Sequence, residues 1–119
     1  VSINEKQFQF TKCAGSLLVY GTHILGLNMT MREVQRFPDR QQELYDKEVS
    51  DTLQSKHLDS LAVDILIFRD GKPSYNDPAY KKLGAYWEQL NGIWGGRFRM
   101  RRGGADMGHF EWGPKMMEV

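Results

Sequence analysis

The run Leu61-Ala62-Val63-Asp64-Ile65-Leu66-Ile67-Phe68 is almost continuously apolar and is closed by Arg69-Asp70-Gly71-Lys72, a tight-turn signature. An apolar run of this length that ends in a turn predicts a central strand leading into a hairpin. The strand carries a defect, because Asp64 lies in its middle. An ionised carboxylate buried in a strand costs roughly several kcal/mol unless a cation or strong donors compensate it. Whatever fold the chain adopts must therefore bring something positive to Asp64.

The chain offers two sources. His57 lies in the stretch Ser55-Lys56-His57-Leu58 that leads into the strand, and a turn around Asp59-Ser60 would fold its imidazole back toward Asp64. The second source is Asp106-Met107-Gly108-His109-Phe110-Glu111. His109 and Glu111 alternate onto one face of a strand, and Asp106 follows a glycine-rich approach that lets it swing to the same side. An Asp–His hydrogen bond and a metal site look alike when only His57 and Asp64 are considered. Adding His109 completes a set of two histidines and one carboxylate, which leaves a coordination position for water and suits a catalytic zinc. The same set also suits non-haem iron. Asp106, three residues before His109, is placed to take a proton from that water, so the pattern points to metal-assisted hydrolysis.

The rest of the sequence narrows the alternatives. A chain of 119 residues is expected to form one domain, 1–119, with a single core. Its formal net charge of +1 gives no broad field for nucleic acid or an anionic membrane. The lone Cys13 excludes an internal disulfide and reads as a packed thiol. No apolar stretch approaches the ~20 residues that span a bilayer, and Val1-Ser2-Ile3-Asn4-Glu5-Lys6 lacks the features of a secretory signal. The expectation is a monomer that stays in the cytoplasm in which it is made, with neither nucleic acid nor membrane as partner.

Helices are predicted from Glu5 to about His23, from Pro38 through Tyr45, and from Pro78 to Leu90, the last ended by Asn91-Gly92. Strands are predicted at residues 27–36, 61–68 and 107–112, with a polar loop at 48–60 and a loop or irregular strand at 92–108. Mixed helices and strands without a βαβ rhythm give an α+β class, with a small, mainly antiparallel sheet packed against helices and the metal site at the sheet. Trp94 and Trp112 flank the metal segments and are candidates to line a substrate groove, Met116 and Met117 read as loosely packed, and His23 reads as structural at a helix end.

The words Glu33-Val34-Gln35-Arg36-Phe37-Pro38-Asp39-Arg40-Gln41-Gln42, Ser55-Lys56-His57-Leu58, Leu61-Ala62-Val63-Asp64, Trp94-Gly95-Gly96 and Asp106-Met107-Gly108-His109-Phe110-Glu111 together resemble the LAS-type (M15) zinc peptidases of peptidoglycan. The resemblance is strongest to phage endolysins that cleave L-alanyl-D-glutamate bonds. It implies His57, Asp64 and His109 as zinc ligands, Asp106 as catalytic base, and Arg36 as the cation that steadies the substrate carbonyl oxygen. Ser55 would contact substrate or support a ligand. Glu111 would orient a ligating imidazole, or is a surface carboxylate. The implied substrate is the stem peptide of bacterial peptidoglycan, reached from the host cytoplasm once the membrane is permeabilised. D-alanyl-D-alanine carboxypeptidase activity and a non-catalytic wall-binding domain are the alternatives. The chain departs from the family at Trp94-Gly95-Gly96-Arg97-Phe98, where an acidic residue gives way to Arg97, and at Phe37, where a threonine is usual. The four arginines of residues 97–102 read either as a solvated face or as a basic rim that meets wall polymer or stem-peptide carboxylates.

Overall fold

The computed structural model describes every residue except Val49, Leu53 and Val119. The apolar run becomes strand β2, Ala62–Arg69, and the sheet is organised around it. Strand β1, Asn28–Met31, pairs with β2 antiparallel, Asn28 opposite Phe68 and Met31 opposite Ile65. The predicted turn is a hairpin, with Asp70 and Gly71 both at positive φ as a two-residue hairpin loop requires, returning as the short strand β3, Lys72–Pro73. Strands β4, Ile93–Trp94, and β5, His109–Glu111, complete the antiparallel order β1-β2-β5-β4, with β3 attached to β2.

Alternation along β2 sorts its side chains onto two faces. Val63, Ile65 and Ile67 join the core with Phe10, Cys13 and Leu17 of helix α1, Ile3–Val19, and with Tyr80, Leu83 and Trp87 of helix α3, Ala79–Gln89. Asp64 alternates onto the opposite face. The α+β class with a small antiparallel sheet is the architecture observed, and α1 and α3 cover the sheet face away from Asp64.

Helix α1 begins where Ser2 caps it, the side chain accepting from Glu5 N–H at 3.1 Å, and it runs on into a π-helical turn, Tyr20–Ile24. Helix α2, Pro38–Asp46, opens on its proline as expected. At the start of α3, Pro78 already has helical dihedrals, and the buried Asp77 before it accepts from Ala79 N–H at 2.9 Å. Arg69 donates twice to the same carboxylate, at 2.7 and 3.0 Å, and Ser74 Oγ donates at 2.9 Å. The Arg69 hydrogen bonds outweigh the burial that opposes ionisation and hold the Asp77 carboxyl well below the usual carboxylate range. Because the folded-state value is depressed, the stability Asp77 contributes is fully present above ~4, its unfolded value, and is lost as pH falls below it. Asp77→Ala is expected to cost about 2 kcal/mol at neutral pH, mostly cap loss because Arg69 is half exposed. Thermal unfolding at pH 7 and pH 3 reads the effect, with the gap between the two proteins narrower, but not closed, at the lower pH.

Residues 92–108, expected as a loop or irregular strand, hold the short β4 and a 3-10 turn, Gly95–Arg97. Two expectations need correction. The strand predicted over 27–36 ends at Met31, because Arg32 and Glu33 both bond to the backbone of Asp64 and the chain then turns away at Arg36. Met116 is fully buried, and its carbonyl accepts from Gln9 at 3.1 Å, so this part of the tail is packed against α1.

Candidate metal centre

Asp64 occupies the position in β2 where pairing changes hands. Its C=O accepts from Arg32 N–H at 2.7 Å, its N–H donates to Glu33 C=O at 3.0 Å, and the next N–H, of Ile65, donates to Gly108 C=O at 2.8 Å. On the other edge the register sets Asp64 directly opposite His109, and directly opposed residues of an antiparallel pair have adjacent side chains. Sheet register alone thus brings one carboxylate and one imidazole together. His57 arrives from a short 3-10 turn, Lys56–Asp59, capped by Ser55, whose Oγ accepts from His57 N–H at 3.2 Å. The turn closes with Ser60 at positive φ, which folds the buried imidazole back over the sheet.

The three side chains converge. Ligand atoms from His57, Asp64 and His109 all lie within 4.8 Å of one another. His57 Nε2 is 3.3 Å from Asp64 Oδ2 and His109 Nδ1 is 3.2 Å from Asp64 Oδ1. The outer nitrogens determine what the inner ones are. His57 Nδ1 faces the Val34 carbonyl at 3.1 Å, and His109 Nε2 faces the Glu111 carboxylate at 2.8 Å. Both partners only accept, so both outer nitrogens carry the hydrogen. In the neutral imidazoles, bare lone pairs then point at Asp64, and His57 Nε2 is buried with no hydrogen-bond partner.

Two lone pairs facing a carboxylate repel it unless a cation stands among them, and imidazoles tied at their outer nitrogens to a carbonyl and a carboxylate are typical metal ligands. The residues present therefore fit a metal ion. Electrostatics agree with this. Burial raises the carboxyl of Asp64, but in the metal-free pocket the hydrogen bond donated by a protonated His109, followed by the influence of His57, outweighs it and holds the group well below the usual carboxylate range. Burial likewise works against a charged His109, but the Asp64 and Glu111 carboxylates push it up to about 9. The pocket is one that favours positive charge at its centre.

Asp106 stands beside this triad, its Oδ2 4.0 Å from His109 Nδ1, with its side chain 44% exposed. Packing around it raises its carboxyl, and the Asp64 charge adds to the rise. Arg36 is 3.6 Å from Asp64 Oδ2 and is held on two sides, by Glu33 at 3.0 to 3.2 Å and by Gln41 Oε1 at 2.8 Å. Gln41 is itself buried, donating to Ser50 Oγ at 2.8 Å and to the Thr52 carbonyl. Glu33 and Gln41 lay within the sequence words already singled out but had no assigned role, since nothing in a linear pattern shows that two side chains clamp a third. Arg36, Ser55, His57, Asp64, Asp106, His109 and Glu111 all line one cavity of about 730 Å³.

Trp94 and Trp112 do not line it, which corrects the expectation for both. Trp94 is buried between Gly84 and Gly96, either of which would clash with its ring if it carried a Cβ, and its Nε1–H donates to Met107 C=O at 2.8 Å. It supports the loop that carries Asp106 from below. Trp112 is buried beneath Lys6, whose Nζ is 5.1 Å from the ring centroid. Gly95 sets the height of the same loop. Its carbonyl accepts from Asp106 N–H at 2.9 Å, and an added Cβ would lie 2.2 Å from Asp106 O and 2.8 Å from His109 Cβ. Gly95→Ala is therefore expected to cost about 1–3 kcal/mol of stability and, by displacing Asp106 and His109 together, to lower activity at temperatures where the variant is still folded. Thermal unfolding and rate measured on the same sample check both.

Two imidazoles and a carboxylate with an open side and a carboxylate neighbour are the arrangement of a mononuclear metal hydrolase. The comparisons place the chain more closely. Residues 48–112, more than half of the chain, match the M15 peptidase family profile described as D-alanyl-D-alanine carboxypeptidase, and the chain belongs to that family of metallopeptidases. The matched span contains His57, Asp64, Asp106 and His109, whereas Arg36 lies before it. Among solved structures, the fold is similar to that of the Serratia marcescens L-Ala D-Glu endopeptidase ChiX, with a TM-score of 0.57 and 24% identity over 78% of this chain and 72% of that one. Among curated proteins, no relative matches.

Proposed function

We propose that the protein is a zinc-dependent peptidase that cleaves the L-alanyl-D-glutamate bond of peptidoglycan stem peptides, in the manner of a phage or prophage endolysin. Its zinc ligands are His57, Asp64 and His109. The observation that carries the metal is the pair of inner histidine nitrogens aimed at Asp64, one of them buried without a partner. Two imidazoles and one carboxylate suit zinc. Bound there, the ion supplies Lewis acidity to an amide carbonyl and lowers the pKa of water to about 7.

The protein's own groups do the rest. Asp106, whose carboxyl is raised above its usual value chiefly by burial, takes a proton from the attacking water and returns it to the leaving amine. Arg36, fixed by Glu33 and Gln41, directs its positive charge at the negative charge that develops on the carbonyl oxygen. Glu111 holds His109 in the tautomer that leaves Nδ1 free, and Ser55 holds the turn that delivers His57.

An internal bond is favoured over a terminal one by the shape of the cleft. A second cavity of about 660 Å³, lined by Arg32, Tyr75, Asn76 and Tyr80, shares Asp64, Ala105 and Asp106 with the first. Peptide can thus extend on both sides of the metal, as an endopeptidase requires, and the structural similarity to ChiX supports the same reading. The family description favours the carboxypeptidase alternative. Mass spectrometry of digested muropeptides separates the two. A new N-terminal D-glutamate is the expected product, loss of a terminal D-alanine would move the protein to the carboxypeptidase branch, and no cleavage of either kind would overturn the peptidase reading.

A further inference from the structure

Of the four arginines in residues 97–102, two are engaged. Arg97 pairs with Glu88 at 3.0 Å and lies over the Trp94 ring. Arg101 crosses the cleft. Its Nε is 3.2 Å from Asp51, its backbone N–H donates to the same carboxylate at 2.9 Å, and its guanidinium donates to the carbonyls of Tyr45 and Ser50 while lying 4.4 Å from the centre of the Tyr45 ring. Arg101 thus straps the 98–105 loop to the opposite wall. The loop tip is closed by Met100 and Gly104, with Gly103 and Gly104 at positive φ, so its backbone is set before any ligand arrives.

Arg99 and Arg102 remain. Both are exposed, both line the same cavity as the metal triad, and neither makes an ion pair among the described residues. Lys56, adjacent to His57, is exposed on the same cavity and is likewise unpaired. The carboxylates that share the cavity are largely committed, Asp51 to Arg101, Glu111 to His109 and Asp64 to the histidines. In a chain with a net charge of only +1, three unpaired cations around one cavity are a local concentration of positive charge, not part of a general field.

We propose that Lys56, Arg99 and Arg102 form an anion subsite that takes a carboxylate of the peptide whose amide lies at Asp106. The inference rests on the peptidase reading and extends it from bond to substrate charge. The anion belongs to the substrate because the three cations and the triad line one cavity, so a group held by the first is within reach of the second. Guanidinium groups on a pre-set loop suit a planar carboxylate.

The test uses two synthetic stem peptides with the same scissile bond, one carrying the glutamate carboxylate free and the other carrying it as the carboxamide. Metal-loaded wild type is compared with the double variant R99Q/R102Q, and with R40Q on α2 as control. The wild type and the control are expected to prefer the free acid by about tenfold in kcat/KM, carried by KM and reduced at high salt. The double variant should lose that preference while cleaving the amide at the wild-type rate, with an unchanged circular dichroism spectrum. Equal cleavage of both peptides by the wild type, or a proportionate loss on both in the double variant, would overturn the subsite alone. Cleavage of neither peptide would overturn the peptidase reading and the subsite with it. Inhibition of wild type, but not of the double variant, by a soluble glycerol-phosphate wall polymer, without any effect of amidation, would overturn the proposal in favour of a polymer site.

Discussion

Asp64→Ala is expected to abolish metal binding and hydrolysis together. The carboxylate is the point on which His57 Nε2, His109 Nδ1 and the Arg36 guanidinium converge, at 3.3, 3.2 and 3.6 Å. Removing it takes away the only anionic ligand and leaves a buried arginine facing two imidazoles. Loss of a residue that merely orients a ligand typically costs about 10–100-fold in metal affinity, and loss of a ligand itself should exceed that. Elemental analysis after dialysis should find no retained metal, and the rate should fall to background.

Asp106→Asn has the second largest expected effect, and it separates chemistry from coordination. The side chain is 44% exposed and, among the described residues, the hydrogen bonds of Asp106 run through its backbone, to Gly95 and His109, so the substitution should leave the fold intact. Asparagine cannot carry a proton from water to the leaving amine. We expect kcat to fall by about 10²–10⁴-fold, with KM and metal content unchanged. A parallel loss of metal would mean that Asp106 acts on the triad instead of on the substrate.

Much of this arrangement was legible before the structure because it depends on period and register. The Leu61–Phe68 run, closed by a turn signature, was the best candidate for a central strand, and an aspartate inside it required compensation. His109 and Glu111, two apart, had to share a face. The turn around Asp59-Ser60 that returns His57 was readable as well, but not its 3-10 form or the positive φ at Ser60. The clamp on Arg36 was not legible, because Glu33 and Gln41 meet it only after β1 has ended early and α2 has folded back. The tryptophans misled for a related reason. Proximity in sequence to metal-binding segments put Trp94 and Trp112 at the groove, whereas glycines at 84 and 96 open a slot that draws Trp94 into the core. The basic segment 97–102 could not be divided by sequence alone into engaged and unengaged arginines, because the partners of Arg97 and Arg101 lie at Glu88 and Asp51, on separate elements.

The proposed chemistry requires one metal ion held by His57, Asp64 and His109. The most direct test strips the protein with a chelator and returns zinc in small steps, following bound metal and stem-peptide cleavage on the same sample. The account predicts no activity in the stripped protein and a linear recovery that stops at one equivalent per chain, with no retained zinc in H57A, D64A or H109A. Full activity after chelation, or one equivalent of zinc still held tightly by those variants, would contradict it.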